Sequence, residues 1–375
     1  MHHLASRLTP RFRVVVLAPH AAGAKFEEVI DGVEVRRFRY APSRLETLVN
    51  DGGIVQNLRK HRWKMLLVPT FVLSELLATL RLIRSLRPSV IHAHWFVPQG
   101  VVAALARRLS SASPPFLLTS HGADLFALRG GAWSRARQWI VGQAEAVTVV
   151  SSAMREMLEG EGVEAARVHV EPMGVDLETR FTPSLEAAPA DTLLFVGRLV
   201  RKKGLHVLLD ALPVVLATRP HVTLVVVGFG PELGDLQAQA SRLGLGRVVR
   251  FLGASGQAEL PAHYRRAKVF VAPFVEAPGG DQEGLGLVVV EAIGCGCRVV
   301  VSDLVGTCDF VPVPGAVARV APGDPATLAL AILDMLAAEP PTGCPDVERF
   351  DWRSRARAYG DMLEATSRAD SPRRV

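Results

Sequence analysis

Short, wholly apolar runs separated by longer stretches with helical spacing dominate this chain. Val14 to Ala18, Val90 to Ala93, Phe116 to Thr119 and Ala146 to Val150 are each followed by turn residues and then by a helical pattern. A brief apolar run without polar alternation fits a strand buried on both faces, and its alternation with helices indicates a parallel sheet. A second series repeats the rhythm through Leu193 to Val196, Thr223 to Val227, Val248 to Leu252, Val269 to Ala272 and Arg298 to Ser302. The pattern predicts an α/β protein with two Rossmann-like sheets. Between the series, Glu178 to Pro189 is polar, contains proline and lacks periodicity. That places a linker over 179–190, a first domain over 1–178 and a second over 191–349, with 350–375 as a C-terminal helix and tail. Within that tail, Trp352 to Arg368 reads as an amphipathic helix.

Length and composition agree with two cores and therefore with a cleft, since 375 residues exceed one ordinary domain. Hydrophobic residues make up 49% and charged residues 21%, which excludes disorder. The net charge of +6 is uneven: residues 1 to 175 carry 22 Lys and Arg against 14 Asp and Glu, leaving 21 against 23 for the remainder. Part of that excess is Arg59-Lys60-His61-Arg62-Trp63-Lys64, followed by apolar Met65-Leu66-Leu67-Val68. Read alone it is a solvated helix turn, and beside an apolar helix it also suits an anionic membrane surface. No nucleic-acid recognition module is present. Cys295, Cys297, Cys308 and Cys344 lack zinc-like spacing and suggest a reducing compartment. No secretory leader pattern is found, and the longest apolar stretch, Met65 to Leu82, is broken by Pro69, Ser74, Glu75 and Arg81. The expectation is a cytoplasmic protein, at most peripheral on the inner face of the cell membrane.

Chemistry is sought just after the strands, because open α/β sheets bind ligands at their carboxyl ends. Glu283-Gly284-Leu285-Gly286-Leu287-Val288-Val289-Val290-Glu291 begins on a Pro/Gly-rich loop and runs into an apolar helix. Its helix N-terminus favours an anion, and carboxylates accept from vicinal sugar hydroxyls. On spacing alone, Glu283 is equally a helix cap and Glu291 a surface acid. Gly197-Arg198-Leu199-Val200-Arg201-Lys202-Lys203-Gly204 follows Val196 and has the makings of a pyrophosphate clamp, with Arg198 as a planar fork and Lys203 as a point charge. Ser120-His121-Gly122-Ala123-Asp124 puts a histidine and an acid within one turn. His121 can donate to a sugar hydroxyl and Asp124 can orient it or touch the sugar, although a lone turn histidine is more often a packing residue. Gly228-Phe229-Gly230 reads as a tight turn because the dinucleotide fingerprint spacing is off by one. His92 and His94 read as structural, lacking a third metal ligand.

The ordered set of Ser120 to Asp124, Gly197 to Gly204 and Glu283 to Glu291 resembles the motifs of the retaining GT-B glycosyltransferases of family four. The likeness extends to Glu171-Pro172-Met173-Gly174-Val175-Asp176, to Val249 to Gly253 and to Phe350-Asp351-Trp352, covering roughly residues 12 to 365. It implies the GT-B fold, two Rossmann-like domains facing a cleft, with the C-terminal helix crossing back to the first. It also implies a UDP- or GDP-sugar as donor substrate, a lipid-linked or glycan acceptor, and neither cofactor nor metal. Arg198 and Lys203 would hold the diphosphate beside Gly197, and Glu283 the sugar hydroxyls beside the amides of Gly284, Leu285, Gly286 and Leu287. Glu291 would hold the ribose, Phe251 would lie at the donor, His121 near the reacting carbon, and Asp124 would support His121 or the acceptor. One departure stands out. The strand Val14 to Pro19 comes almost at once, so the family's first strand, glycine-rich loop and helix are missing, with Met1 to Arg11 matching only that helix's end. The expectation is a truncated start or an altered acceptor side. It keeps open a non-catalytic sugar-nucleotide binder, and a GT-B sugar-nucleotide epimerase shares the fold without the paired glutamates.

Overall fold

The computed structural model describes residues 1–49, 54, 57–58, 61–126, 128, 130–184, 191–307, 309–310, 313–339 and 346–369. Thirteen strands among them form three sheets. The second half of the chain builds one six-stranded sheet in the order β10-β9-β8-β11-β12-β13, from β8 (Thr192–Val196), β9 (Thr223–Val227), β10 (Val249–Gly253), β11 (Val269–Ala272), β12 (Arg298–Ser302) and β13 (Val317–Val320). Every pairing in it is parallel. The winding reverses between β8 and β11, so the crevice at their carboxyl ends is the topological switch point where such sheets bind ligands. Five of these strands are the apolar runs read from the sequence, to within a residue.

The first half divides into two sheets. β4 (Ile91–His94), β5 (Phe116–Ser120), β6 (Ala146–Val149) and β7 (Val168–Val170) are parallel in sequential order. β1 (Val15–Pro19) pairs with β3 (Val33–Phe38), which continues as a hairpin with β2 (Glu27–Ile30). The hairpin turn is Asp31-Gly32, both with positive φ, +49° and +79°, as a two-residue turn between twisted strands requires. The sequence reading assigned neither β2, β3, β7 nor β13. β2 is a short edge strand of two glutamates followed by Val29 and Ile30, with three of four residues exposed, so it carries no buried apolar run.

Between β1 and β4 lies a cavity of about 630 Å³, lined by residues of both strands and of the helices His2–Leu8 and Leu67–Leu86. β1 pairs on one side with β3 and β4 on one side with β5, and among the described residues no strand joins β1 to β4. β1 is apolar on both faces yet only half-buried along its whole length, the signature of an interior strand standing at an edge. Among the described residues no strand fills this slot. Met1 to Arg11 contributes the helix His2–Leu8, as its resemblance to a helix end implied. Glu75 faces the slot with one oxygen unpartnered, and burial pushes its carboxyl up to about 7.

The two halves share one hydrophobic cluster, which runs from Phe116, Val147 and Val149 to Phe270, Val289 and Val301. The closing helix Trp352–Arg368 crosses back to the first half, as expected. Its N-cap Asp351 accepts from the Arg353 amide at 2.7 Å, Trp352 packs flat on Gly174, and Tyr359 donates to the Glu171 carbonyl at 2.7 Å. Of the expected linker, residues 185–190 lie outside the described residues. The part before them is docked, with Arg265 donating to the carbonyls of Thr182 and Arg180 at 2.8 and 3.0 Å. Amides of β1 and β4 that face the slot should exchange with deuterium markedly faster than those of β5 and β8. Equal protection would show that the edges are covered.

Candidate functional site

The C-terminal wall of the site is a set of interlocked turns. The Gly197 amide donates to the Val227 carbonyl at 3.0 Å and the Leu199 amide to Phe229 at 2.9 Å, so the turn after β8 lies on the turn after β9. A side chain at Gly228 or Gly230 would overlap the carbonyls of Gly197 or Leu199. The Gly-Phe-Gly segment is therefore a packing device, as its spacing suggested. Arg201–Lys203 forms a single 3-10 turn that ends at Gly204, whose φ of +70° brings its backbone against the Pro273 carbonyl after β11. That approach holds Lys203 in place: its Nζ lies 4.8 Å from the Phe274 ring centroid and 2.7 Å from Oε2 of Glu283.

Glu283 sits on a loop, as the sequence predicted, and more partners fix it than the sequence showed. Lys202 Nζ bonds Asp281 Oδ1 at 3.0 Å and the Gln282 carbonyl at 3.2 Å, pinning the loop just ahead of it. Gly306, after β12, abuts the Glu283 carbonyl so closely that no side chain fits there. Burial raises the Glu283 carboxyl, but Lys203 and then Lys202, with the Gly286 amide, outweigh it and hold the group down at about 2. It is a fixed anion beside fixed cations. The helix Leu287–Gly294 starts directly after it with no side-chain cap at Gly286. Arg198 is half-buried on the same turn as Lys203.

Glu291 lies on that helix's second turn and receives the hydroxyl of Tyr264 at 2.8 Å. Tyr264 is wholly buried. Burial pushes the Glu291 carboxyl up to about 7, against the opposing pull of Tyr264, Lys203 and Arg180. The two glutamates thus differ in kind, one charged at any ordinary pH and one poised near neutrality. Phe251 is farther off, paired with Val226 on the edge strand β10, two strands from β8.

The N-terminal wall is the end of β5 and the turn after it. Gly122, at φ +105°, would place a Cβ 3.0 Å from Gly284 Cα, and a Cβ on Gly284 would meet the His121 carbonyl at 2.7 Å. Two glycines therefore let the turn carrying His121 run backbone to backbone with the loop carrying Glu283. Asp124 does not orient His121, as one sequence reading had it. Its oxygens take the Phe96 amide at 2.6 Å and the Ser120 hydroxyl at 2.7 Å, so it fastens the turn to the segment after β4. His121 instead meets His94, with Nε2 3.0 Å from Nδ1 and the rings stacked at 5.2 Å. The sequence reading set His94 aside as structural. Its position at the end of β4, in register with Thr119 on β5, is the signal that pointed to the cleft.

Together these elements can hold an anion with Arg198, Lys203 and the start of the glutamate helix, accept hydroxyls at Glu283 and Glu291, and present a neutral imidazole from the facing wall. The raised Glu291 group fixes the sign of a stability effect. Its folded pKa of about 7 exceeds the unfolded value of 4.5, so its contribution is complete below pH 4.5 and fades as pH rises through 7. Glu291→Gln should stabilise the fold relative to the parent more at pH 8 than at pH 5, by a difference on the order of 2 kcal/mol in unfolding free energy. An equal effect at both pH values would contradict this burial.

The chain matches the model described as Glycosyltransferase Family 4 over residues 1–179 and the model for Glycosyl transferases group 1 over residues 190–338. It is 30% identical over 329 residues to the GDP-mannose-dependent alpha-(1-6)-phosphatidylinositol monomannoside mannosyltransferase of Mycolicibacterium smegmatis, covering 80% of this chain and 83% of that one. Against a glycogen synthase of Mycobacterium tuberculosis it is 30% identical over 397 residues, 99% of this chain and 91% of the other. Its fold matches the sucrose-phosphate synthase of Thermosynechococcus elongatus with a TM-score of 0.77 at 22% identity, over 98% of this chain and 92% of that one. Anabaena HepE in complex with UDP-glucose matches with a TM-score of 0.65 at 20% identity, over 98% and 93%. With both walls of the cleft and these relatives in agreement, the chain belongs to the family-four GT-B glycosyltransferases.

Proposed function

We propose that this chain transfers a hexosyl group from a GDP- or UDP-sugar to a lipid-linked or glycan acceptor, with retention of configuration and without a metal. The observation that carries the reading is the Lys203–Glu283 pair, 2.7 Å apart, set against His121 across the Gly122–Gly284 contact. A diphosphate on Arg198 and Lys203 departs as the glycosidic C–O bond breaks, and its developing charge is met by those two cations. The acceptor oxygen bonds the same face of the anomeric carbon, and its proton passes to the departing phosphate oxygen. Glu283 and Glu291 grip sugar and ribose hydroxyls in this scheme, and neither serves as general base. GDP-mannose is the first donor to try, because the Mycolicibacterium relative is named for it.

The acceptor side of the proposal rests on the helix Leu67–Leu86 and the turn before it. Trp63, Met65, Leu66, Leu73 and Leu77 are exposed, with Arg62 before them and Arg81 and Arg84 after. The basic segment is not uniform, since Lys64 is buried on Asn57 and the Thr47 carbonyl, while Arg59 and Lys60 lie outside the described residues. The segment Arg62–Leu86 is long and apolar enough to cross a membrane by length and composition, but its helix also packs Leu67, Phe71 and Ile83 inward. An apolar ridge flanked by arginines suits the surface of an anionic bilayer, which favours peripheral binding at the inner membrane face. A second reading, sugar-nucleotide binding without transfer, draws on the open slot beside β1.

A thermal-shift panel of GDP- and UDP-sugars, followed by turnover of the donor that stabilises, tests the first reading. Lys203→Ala should weaken nucleoside diphosphate binding by about tenfold or more. Stabilisation without donor cleavage or transfer would favour the second reading, and no stabilisation by any sugar nucleotide would overturn both. In vesicle flotation the protein should rise with anionic vesicles at low salt and be released by high salt, and Leu66→Asp with Leu73→Asp should abolish the effect. Flotation that ignores lipid charge and both substitutions would contradict the membrane assignment.

A further inference from the structure

His94 lies beside His121 at the end of β4, and several features hold it there. Its Nδ1 is 3.0 Å from Nε2 of His121, with the two rings nearly parallel at 19°. Behind it His92 packs at a centroid distance of 4.1 Å and is itself tied to Thr119 Oγ1 at 2.7 Å, which continues to Thr148 at 2.6 Å. After His94 the chain turns through Trp95 at a φ of +72°, a left-handed conformation that is costly for a bulky residue. That turn sets the indole 5.2 Å from the His121 ring and 6.5 Å from that of His94, so the three rings form one mutually packed cluster. Backbone strain of this kind persists only where the surroundings impose it.

Burial lowers all three imidazoles, His92 to about 3, His121 to about 4 and His94 well below its ordinary value, so each ring carries one proton and one lone pair. A single proton lies between Nδ1 of His94 and Nε2 of His121. Placing it on Nε2 of His121 leaves each ring in its ordinary Nε2–H form. We infer that His94 is a positioning residue, accepting the Nε2–H of His121 and thereby fixing that ring's tautomer so that Nδ1 of His121 is the lone pair available to a donor hydroxyl. This inference rests on the proposed function for its kinetic consequence, and on the ring geometry of neutral imidazoles for its tautomer.

The test uses the full chain labelled with ¹⁵N in the histidine rings, with His121 signals assigned by their loss in His121→Gln. At pH 7.5 His121 should show a pure Nε2–H tautomer. In His94→Leu it should average between tautomers, while in His94→Asn, whose amide oxygen can stand in for Nδ1, it should remain Nε2–H. Donor cleavage with GDP-mannose or UDP-glucose, whichever turns over, should fall in kcat by about tenfold in His94→Leu and be largely restored in His94→Asn, with GDP or UDP affinity unchanged. An Nδ1–H tautomer in the parent, an unaltered tautomer in His94→Leu, or equal loss of kcat in both variants would overturn the inference. If no sugar nucleotide turns over with the parent chain, the proposed function fails while the ring spectra still decide the tautomer.

Discussion

The arrangement depends on one close approach, the passage of Gly122 against Gly284. Nothing larger than hydrogen fits between these backbones, and that is what brings a residue of the β5 turn beside a residue of the β11 loop. Each glycine gives up the packing energy and conformational restriction that a side chain would supply. What is gained is position: the turn carrying His121 runs backbone to backbone with the loop carrying Glu283. The further glycines at 204, 228, 230 and 306 serve the same end within the C-terminal wall, by letting the β8, β9, β11 and β12 turns stack on one another.

On that frame the charges divide by function. Glu283 is desolvated but overcompensated by two lysines, and stays ionised, whereas Glu291 is desolvated beside a neutral tyrosine and rises toward neutrality. On the facing wall the buried imidazoles are held neutral and add no positive charge. A site built this way presents fixed positive charge on one side only, which suits a diphosphate that gains charge as it leaves. The buried thiols Cys295 and Cys297 take no part, since burial pushes both up and Cys295 lies at about 12. Of the other two cysteines, Cys308 and Cys344, both lie outside the described residues.

Much of this was legible because it is written in local pattern. Nine apolar runs became strands, and the basic turn and the glutamate loop fell at the switch point of the six-stranded sheet because β8 and β11 are neighbours there. Among the described residues β1 and β4 each keep one unpaired edge, with a cavity between them. What escaped the sequence is what depends on register and packing. Glu27 to Ile30, two glutamates and then two exposed apolar residues, is too short to announce a strand, and only its partner β3 and the Asp31-Gly32 turn make it one. His94 looked structural until the β4–β5 register set it beside Thr119, and Asp124 looked like a partner of His121 until Ser120 and Phe96 claimed its oxygens. Gly306 and Tyr264 lie far in sequence from the groups they fix, with no motif to connect them.

The central claim is that the Gly122–Gly284 approach assembles one working site from two walls. Its most direct test is Gly122→Ala, whose added methyl forces the walls apart without touching Arg198, Lys203 or Glu283. Nucleoside diphosphate affinity should be unchanged while donor turnover falls by about tenfold, as the walls give way around the added methyl. Turnover that survives the substitution at the parent rate would contradict the account.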